Sequence, residues 1–146
     1  MINNILVVCM GNICRSPMAE ALFKKALVEK NKNDCVVNSA GLGALIGQEP
    51  DATACWLMLE KGIDISRYRA RQLSREMIRK ADLILVMESF HQGIIEDNEP
   101  SAKGKVFRLG KWDGFDIPDP YKQEARIFES ALELIEQGVD RWMEKL

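Results

Sequence analysis

The sequence predicts an α/β fold: a single domain over residues 1–146, with a four-stranded parallel sheet and helices on both faces. Two observations predict this class. Short apolar runs alternate with stretches of helical periodicity along the whole chain, and no repeat, low-complexity segment or linker interrupts them. One run, DLILVM at residues 82–87, is apolar after its first residue, as a parallel strand covered on both faces requires.

The first half of the chain predicts two strands and two helices. NILVV, residues 4–8, is a short β-branched run that ends at a Gly-Asn turn signal and forms the first strand. Ser16 and Pro17 then supply an N-cap and a first-turn proline for a helix. CVVNSAG, residues 35–41, is the second strand, and Asp51 caps the second helix.

The second half continues the alternation. Residues 82–87 form the central strand, and Ser89 with Gln92 forms an S-x-x-Q capping box for the next helix. KVFRL, residues 105–109, is the fourth strand, and a final helix begins at about Gln123. Its apolar residues fall on one stripe, which contains Ile127, Phe128, Ala131, Leu132, Ile135, Val139 and Trp142.

Composition excludes several classes of function. The net charge is −2, so no nucleic-acid partner is expected, and the basic stretch at residues 67–80 is interpreted as a solvated helix face plus loop. No apolar run approaches the ~20 residues of a membrane span, and the N-terminus lacks the basic region of a signal peptide. We therefore expect a cytoplasmic protein with no membrane insertion. The sequence gives no indication of the oligomeric state.

Cysteine and histidine usage argues against a metal site. The four cysteines form no C-x-x-C pair and have no histidine at metal-ligand spacing. In a reducing compartment they are not a disulfide framework either. The one histidine, His91, is expected on a helix surface. We expect no metal and no cofactor.

The loop after the first strand, CMGNICRSP at residues 9–17, carries the residues best suited to chemistry. Ligands of parallel sheets bind beyond the carboxyl ends of the strands, where this loop lies. Gly11 and Asn12 readily adopt compact backbone conformations in which successive N–H groups converge on an anion. The helix N-terminus adds unpaired N–H groups, and Arg15 adds a planar fork that matches two phosphate oxygens. The loop is expected to bind a phosphate group.

Cys9 stands at the start of this loop, where the same positive field acts on its thiol. Because N–H groups, a helix N-terminus and Arg15 all stabilise a thiolate, Cys9 is expected to attack a phosphate monoester. The product is a phosphocysteine, which water then hydrolyses. Ser16 is placed to hydrogen-bond the sulfur. An unpaired cysteine is more often a small buried hydrophobe, but its neighbours here each serve anion binding and favour the nucleophile.

A general acid for the leaving group is expected in a loop at the same edge of the sheet. WDGFDIPDPY, residues 112–121, follows the fourth strand and offers three aspartates. Asp119 is the choice, because Pro118 and Pro120 stiffen the chain on both sides of it. Tyr121 follows as an aromatic side chain that can flank a substrate ring.

At these motifs the chain resembles the low-molecular-weight protein tyrosine phosphatases: CMGNICRSP, NSAGL, DLILVM and DIPDPY occur in the family's order. The resemblance implies Cys9 as the nucleophile, Arg15 as the phosphate-binding arginine and Asp119 as the proton donor. It also implies a phosphotyrosine protein as substrate. The resemblance assigns the phosphate-binding loop to Met10, Gly11, Asn12, Ile13, Cys14 and Ser16.

The resemblance extends to supporting residues. Asn12, Ser16 and Ser39 match family positions whose hydrogen bonds hold the loop in shape. Cys14 matches a second loop cysteine that can form a reversible disulfide with Cys9.

Departures from the family pattern point to its bacterial branch. Tyr68 stands where many eukaryotic members carry a histidine that supports the loop asparagine. In the cleft wall, where those members carry an aromatic residue, this chain has GLGALIG, which makes Leu42, Leu45 and Ile46 candidates for an aliphatic wall. A similar wall occurs in the branch that acts on tyrosine autokinases of exopolysaccharide export, so such a kinase is a possible partner.

Three other functions compete with this interpretation. Thioredoxin-coupled arsenate reductases share the loop but need two more cysteines after the third strand, and residues 80–100 contain none. Bacterial protein-arginine phosphatases carry threonine at the place of Ile13, whose apolar side chain suits a phenyl ring better than a guanidinium. A non-catalytic phosphotyrosine-binding module would need neither a thiolate nor an acid.

Overall fold

The computed structural model describes residues 1–146 and confirms the α/β class with a four-stranded, wholly parallel sheet in the order β2-β1-β3-β4. The strands are β1 (Asn4–Cys9), β2 (Val36–Gly41), β3 (Leu83–Val86) and β4 (Val106–Arg108). The helices are α1 (Arg15–Glu29), α2 (Ala52–Glu60), α3 (Arg75–Lys80), α4 (Ser89–Asn98) and α5 (Ala125–Lys145). No helix has both the length and the apolar composition to cross a lipid bilayer.

Helices cover both faces of the sheet, as the sequence predicts. Alternate side chains of β1 point to opposite faces, so Ile5 and Val7 join a core with α1, α2 and α5. Leu6 and Val8 join a second, smaller core with α3 and α4. β1 and β3 share the centre of the sheet, and all four residues of β3 are buried. The uninterrupted apolar run of β3 is therefore explained by burial on both faces.

The carboxyl end of β1 positions the site. Cys9 is its last residue and pairs in register with Gly41, the last residue of β2. Val8 pairs with Val86, the last residue of β3. The loops that leave three neighbouring strands therefore meet at one edge of the sheet.

Two predicted helix caps are wrong. The N-cap of α1 is Cys14 rather than Ser16, because the Ser16 hydroxyl is engaged with Cys9 and with Asn12. The N-cap of α4 is Glu88, whose N–H donates to His91 Nδ1, so the predicted Ser89–Gln92 box is replaced by a Glu88–His91 pair. The predicted Asp51 cap of α2 is confirmed, since its carboxylate accepts the N–H of Thr53.

His91 is also not on a helix surface. Its side chain is fully buried beneath the first turn of α4. Its ring packs against Phe90 and accepts the N–H of Glu88. The stretch at residues 67–80 is a loop followed by α3, but it is not solvated throughout, because Ala70 and Ile78 are buried.

Candidate active site

The backbone of residues 10–14 forms a cradle of free N–H groups. The carbonyls of Met10, Gly11 and Ile13 point outward and accept the N–H groups of Gly43, Leu45 and Asp51, respectively, at 2.9, 3.1 and 2.8 Å. None of the N–H groups from residue 10 to residue 14 donates to a backbone carbonyl. With its carbonyls tied to the loop after β2 and its donors unpaired, the segment is built to bind an anion.

Asn12 gives this loop its shape. Its backbone has φ of 60°, in the left-handed region, and its side chain is fully buried. Its Nδ2 donates to Ser16 Oγ at 2.7 Å and to Ser39 Oγ at 3.1 Å, while its Oδ1 accepts the N–H of Arg71 at 2.9 Å. These side-chain hydrogen bonds offset the free-energy cost of the left-handed backbone, which is of order 1–3 kcal/mol.

Tyr68 completes the network around Asn12. Its hydroxyl lies 2.6 Å from Asn12 Oδ1 and donates to it, and it accepts from Ser39 Oγ at 2.8 Å. Burial raises the pKa of Tyr68 above its ordinary value, although the hydrogen bond that Ser39 donates to the phenol oxygen acts in the opposite direction. The phenol therefore remains a donor at neutral pH. Tyr68 does here what the resemblance assigns to a histidine in eukaryotic members.

Cys9 lies at the floor of the cradle. Its Sγ is buried and 2.9 Å from Ser16 Oγ. Because Asn12 Nδ2 already donates to Ser16 Oγ, the hydroxyl proton of Ser16 is free to point at the sulfur. A donor aimed at the sulfur stabilises a thiolate relative to a thiol.

Cys14 is the second buried cysteine of the loop, and both cysteines are unbonded thiols. Burial, aided by the negative charges of Asp51 and Asp119, strongly raises the pKa of Cys14. Cys14 is therefore protonated at neutral pH and is not the attacking group.

Arg15 is buried and held from two sides. Its Nη1 donates to Glu88 Oε1 at 2.6 Å and to the Ile117 carbonyl at 2.8 Å, and its Nη2 lies 3.6 Å from Asp119 Oδ2. Sequence reasoning missed Glu88. The sequence feature that could have identified Glu88 is its position two residues after the central strand β3, at the same edge of the sheet as the phosphate-binding loop.

Asp119 is the one carboxylate of its loop that faces the cleft, while the other two aspartates of residues 112–121 are engaged elsewhere. Asp119 is 44% exposed, and its Oδ1 accepts the N–H of Tyr121 at 3.1 Å. Asp113 binds Arg141 at 3.1 Å. Asp116 binds Arg108 at 3.0 Å and accepts the N–H of Ser89.

The cleft above Cys9 has a volume of about 150 Å³. It is lined by Cys9, Met10, Gly11, Ile13, Cys14, Arg15, Gly43, Leu45, Asp119 and Tyr121. Asn12, Ser16 and Ser39 do not line it and act from behind the loop, where they are fully buried.

The predicted aliphatic wall is only partly present. Leu45 lines the cleft, but Leu42 does not. Leu42 continues the alternation of β2 after Ala40 and packs on the opposite face of the sheet, in the core with α3 and α4. Ile46 is 71% exposed and also lies outside the cleft lining.

Nothing elsewhere forms a comparable site. A larger hollow of about 530 Å³ lies between the chain termini and residues 31–35, at the other end of the sheet. Its cysteine, Cys35, has a pKa raised by burial and by the charge of Asp82, and the opposing charge of Lys32 does not cancel this shift. No group of three or more His, Cys, Asp or Glu side chains is arranged to hold a metal ion.

The site combines a buried thiol in a cradle of N–H groups, an arginine at the rim of the cradle and a carboxylate across the cleft. This combination defines the class of cysteine-dependent phosphatases. The family model for low molecular weight phosphotyrosine protein phosphatase matches residues 4–146. The chain belongs to this family.

Individual relatives match over more than nine tenths of their length. The chain is 48% identical to the probable low molecular weight protein-tyrosine-phosphatase EpsP of Ralstonia nicotianae, over 100% of this chain and 97% of that protein. The tyrosine phosphatase Wzb from Escherichia coli K30, solved in complex with sulphate, superposes with a TM-score of 0.92 at 38% identity over 99% of each chain. The YwlE arginine phosphatase from Geobacillus stearothermophilus superposes with a TM-score of 0.88 at 37% identity, over 97% of this chain and 91% of that one.

Proposed function

We propose that the chain hydrolyses phosphotyrosine in proteins, with Cys9 as nucleophile, Arg15 as phosphate ligand and Asp119 as proton donor. The observation that carries the proposal is the cradle itself: the Cys9 sulfur lies at the floor of a loop whose consecutive N–H groups have no backbone partner. A dianionic phosphate placed there accepts those donors and presents its phosphorus to the sulfur.

In the first step the Cys9 thiolate attacks phosphorus. The S–P bond forms while the P–O bond to the tyrosine ring breaks, and protonated Asp119 gives its proton to the leaving phenolate oxygen. The free N–H groups and Arg15 bind the equatorial oxygens, on which charge is concentrated in the transition state. Removal of Arg15 in Arg15→Ala is expected to lower kcat by at least about 10²–10³-fold, the range for loss of one oxyanion donor.

In the second step Asp119, now a carboxylate, takes a proton from a water molecule as the water oxygen attacks phosphorus. The S–P bond breaks, inorganic phosphate is released and the thiolate is restored. Ser16 assists here, because its hydroxyl, 2.9 Å from the sulfur, stabilises the departing thiolate. Both steps use side chains and the free backbone N–H groups of residues 10–14.

The walls of the cleft favour an aromatic phosphate ester. Ile13 and Leu45 supply apolar surface, and Tyr121 supplies an aromatic side chain at the rim. Cys9 is only 2% exposed, so the phosphate must reach the floor of a narrow loop. A phosphotyrosine side chain is long enough for this, whereas a phosphoserine leaves its phosphate short.

A protein-arginine phosphatase is the second candidate, favoured by the fold shared with the YwlE arginine phosphatase. Against it stands the buried, apolar Ile13 in the cleft, which offers nothing to a charged guanidinium. Glu88 also binds Arg15 and does not line the cleft, so Asp119 is the one carboxylate that a substrate guanidinium could meet there. A pure binding module is disfavoured because it has no use for a general acid.

The deciding experiment measures phosphate release from matched phosphotyrosine, phosphoarginine and phosphoserine peptides in EDTA, with Cys9→Ser as the inactive control. We expect metal-independent release from phosphotyrosine alone, lost in the variant. Preferred release from phosphoarginine establishes the second candidate. Tight peptide binding without release from any peptide, and without a trapped phosphocysteine, establishes the binding module.

For the physiological partner we propose a tyrosine autokinase of exopolysaccharide export, met in the cytoplasm. What supports this is the family branch indicated by the leucine-lined loop and the similarity to EpsP. The test is removal of phosphate from an autophosphorylated kinase of this type, compared with an unrelated phosphotyrosine protein of equal concentration. Equal rates on the two proteins contradict the proposal of a dedicated kinase partner.

A further inference from the structure

His91 is a buried titratable group that the reaction above does not use. It is the one histidine of the chain, and its side chain is fully buried at the start of α4. The ring packs against Phe90, with centroids 4.4 Å apart. A buried histidine is ordinarily hydrogen-bonded through both nitrogens, but His91 Nε2 has no hydrogen-bond partner.

The ring contacts Glu88 in two places. His91 Nδ1 accepts the backbone N–H of Glu88 at 3.2 Å. In the neutral ring this fixes the proton on Nε2, because Nδ1 must be the acceptor. His91 Nε2 lies 4.0 Å from Glu88 Oε1, beyond hydrogen-bond distance. The imidazole thus faces both the backbone and the carboxylate of Glu88.

Glu88 in turn holds Arg15. The oxygen that faces His91, Oε1, is the one that accepts Arg15 Nη1 at 2.6 Å. Glu88 therefore holds the guanidinium together with the Ile117 carbonyl, and the ring of His91 holds the backbone of Glu88. The chain of contacts from His91 to Arg15 runs through a single side chain.

Charged groups surround the ring on three sides. Arg15 faces it from α1, Glu88 from the N-cap of α4, and Asp116 and Asp119 from the loop after β4. Burial and the Arg15 charge lower the pKa of His91 below its ordinary value of 6.5, and the three carboxylates oppose this shift without cancelling it. At neutral pH the ring is uncharged, which suits its place beside a guanidinium.

We propose that neutral His91 is a positioning residue, which holds the Arg15 guanidinium in its phosphate-binding orientation through Glu88, and that protonation of the ring releases this hold. A protonated ring carries a hydrogen on Nδ1 and can no longer accept the Glu88 N–H. The positive charge of the protonated ring also attracts Glu88 Oε1, 4.0 Å from Nε2, in competition with Arg15. The inference rests on the phosphate-binding role proposed for Arg15.

The kinetic test compares His91→Gln with His91→Phe. Glutamine three residues after an N-cap can accept the N-cap N–H, so His91→Gln keeps the hold on Glu88 but cannot titrate. We expect His91→Gln to keep kcat within about 3-fold at pH 7, whereas His91→Phe loses roughly 10–100-fold because Arg15 is misplaced. The loss is expected mainly in kcat, since Arg15 binds the transition state more tightly than the ground state.

The pH profile separates positioning from simple folding. As pH falls below 6.5, wild type is expected to lose activity relative to His91→Gln, because only wild type protonates the ring. Ile95→Ala is the matched control: Ile95 is a buried residue of the same helix that packs on the sheet, away from Glu88. The Ile95→Ala variant is expected to have a lower Tm but the same pH profile of activity as wild type. An unchanged ratio of wild type to His91→Gln across pH overturns the proposal.

An NMR titration tests the ring without turnover. Because the chain has one histidine, every imidazole resonance belongs to His91. We expect the Nε2–H tautomer, titration below pH 6.5 and a shift of the ring resonances in Glu88→Gln. A tautomer mixture with ordinary titration overturns the proposal. A wild-type protein inactive on all three peptides overturns the proposed function instead, and the NMR result then stands separately.

Discussion

At the residue scale, the side chains that shape the phosphate loop are mostly ones that cannot touch a substrate. Asn12 and Ser39 are fully buried, and Tyr68 reaches them from 56 and 29 residues further along the chain, respectively. Their hydrogen bonds keep Asn12 left-handed and leave the Ser16 proton for Cys9. Catalysis by Cys9 therefore depends on a buried hydrogen-bond network in which donors and acceptors are matched.

The first residue-scale prediction concerns Asp119. Asp119→Asn keeps the size of the side chain but cannot donate a proton, so cleavage of an alkyl-substituted phenyl phosphate is expected to slow by roughly 10²–10⁴-fold. With nitrophenyl phosphate, whose leaving group needs no proton, the loss is expected to be much smaller. Steady-state rates on the two esters measure the difference. An equal loss on both contradicts the role of general acid.

The second residue-scale prediction concerns Tyr68. Tyr68→Phe removes the donor 2.6 Å from Asn12 Oδ1 and leaves that buried oxygen with the Arg71 N–H alone. We expect a loss of about 1–3 kcal/mol in the free energy of unfolding, measured by urea denaturation, together with a lower kcat. The chain's other tyrosine provides the control, because the hydroxyl of Tyr121 contacts no polar group. Tyr121→Phe is expected to leave the stability unchanged.

At the element scale, the loop after β2 holds the phosphate loop in place. Its N–H groups donate to the carbonyls of Cys9, Met10, Gly11 and Ile13, so the end of β2 and the end of β1 form one unit. The loop after β4 is tied to α4 in a similar way, through Asp116 and Ser89. These two ties place the nucleophile and the acid on opposite sides of one cleft.

The prediction at this scale uses two glycines, one at the end of β2 and one in the loop that follows it. A Cβ added at Gly41 lies 2.6 Å from the Met10 carbonyl oxygen and 3.1 Å from Ala44 Cα, so Gly41→Ala must push the two loops apart. We expect it to lower stability by about 1–3 kcal/mol, as for overpacked sites, and to lower activity as well. At Gly43 the nearest atom is the flexible Met10 Sδ at 3.7 Å. Thermal unfolding of Gly43→Ala is expected to match wild type.

At the scale of the whole molecule, the parallel sheet gathers groups that are far apart in sequence. The site draws on the first turn of α1, the loop after β2, the segment around Tyr68, the N-terminus of α4 and the loop after β4. All of them meet where the strands end. The unpaired N–H groups and Arg15 make this edge a binding site for anions, even though the net charge of the chain is −2.

Anion binding should therefore stabilise the whole fold. Vanadate or phosphate at one hundred times its Kd is expected to raise the free energy of unfolding by about 2.7 kcal/mol, since the unfolded chain has no cradle. The increase in Tm is measured by calorimetry, with chloride at equal ionic strength as the reference. Arg15→Ala is expected to lose most of the increase. A similar rise in that variant places the anion elsewhere.

Much of the fold was predictable because its signals are local. The apolar run of β3, the alternation of strands and helices, and the Asp51 cap each depend on residues within a few positions of one another. The phosphate loop belongs to the same group, since a strand end, a compact turn, an arginine and a helix start are consecutive in the chain. The sequence by itself therefore determined the α/β class, the place of the site and the loop that binds the anion.

Tertiary structure alone decided the rest. Arg15 meets Glu88 across 73 residues and Tyr68 meets Asn12 across 56, and no local pattern marks either pair. The Ser16 hydroxyl does not cap α1, because it hydrogen-bonds Cys9 and Asn12 instead. Leu42 does not line the cleft, because the alternation of β2 places it on the opposite face of the sheet. The burial of His91 likewise depends on what packs over α4. Hydrogen-bond partners and burial depend on which segments the sheet brings together, and that arrangement exists only once the chain is folded.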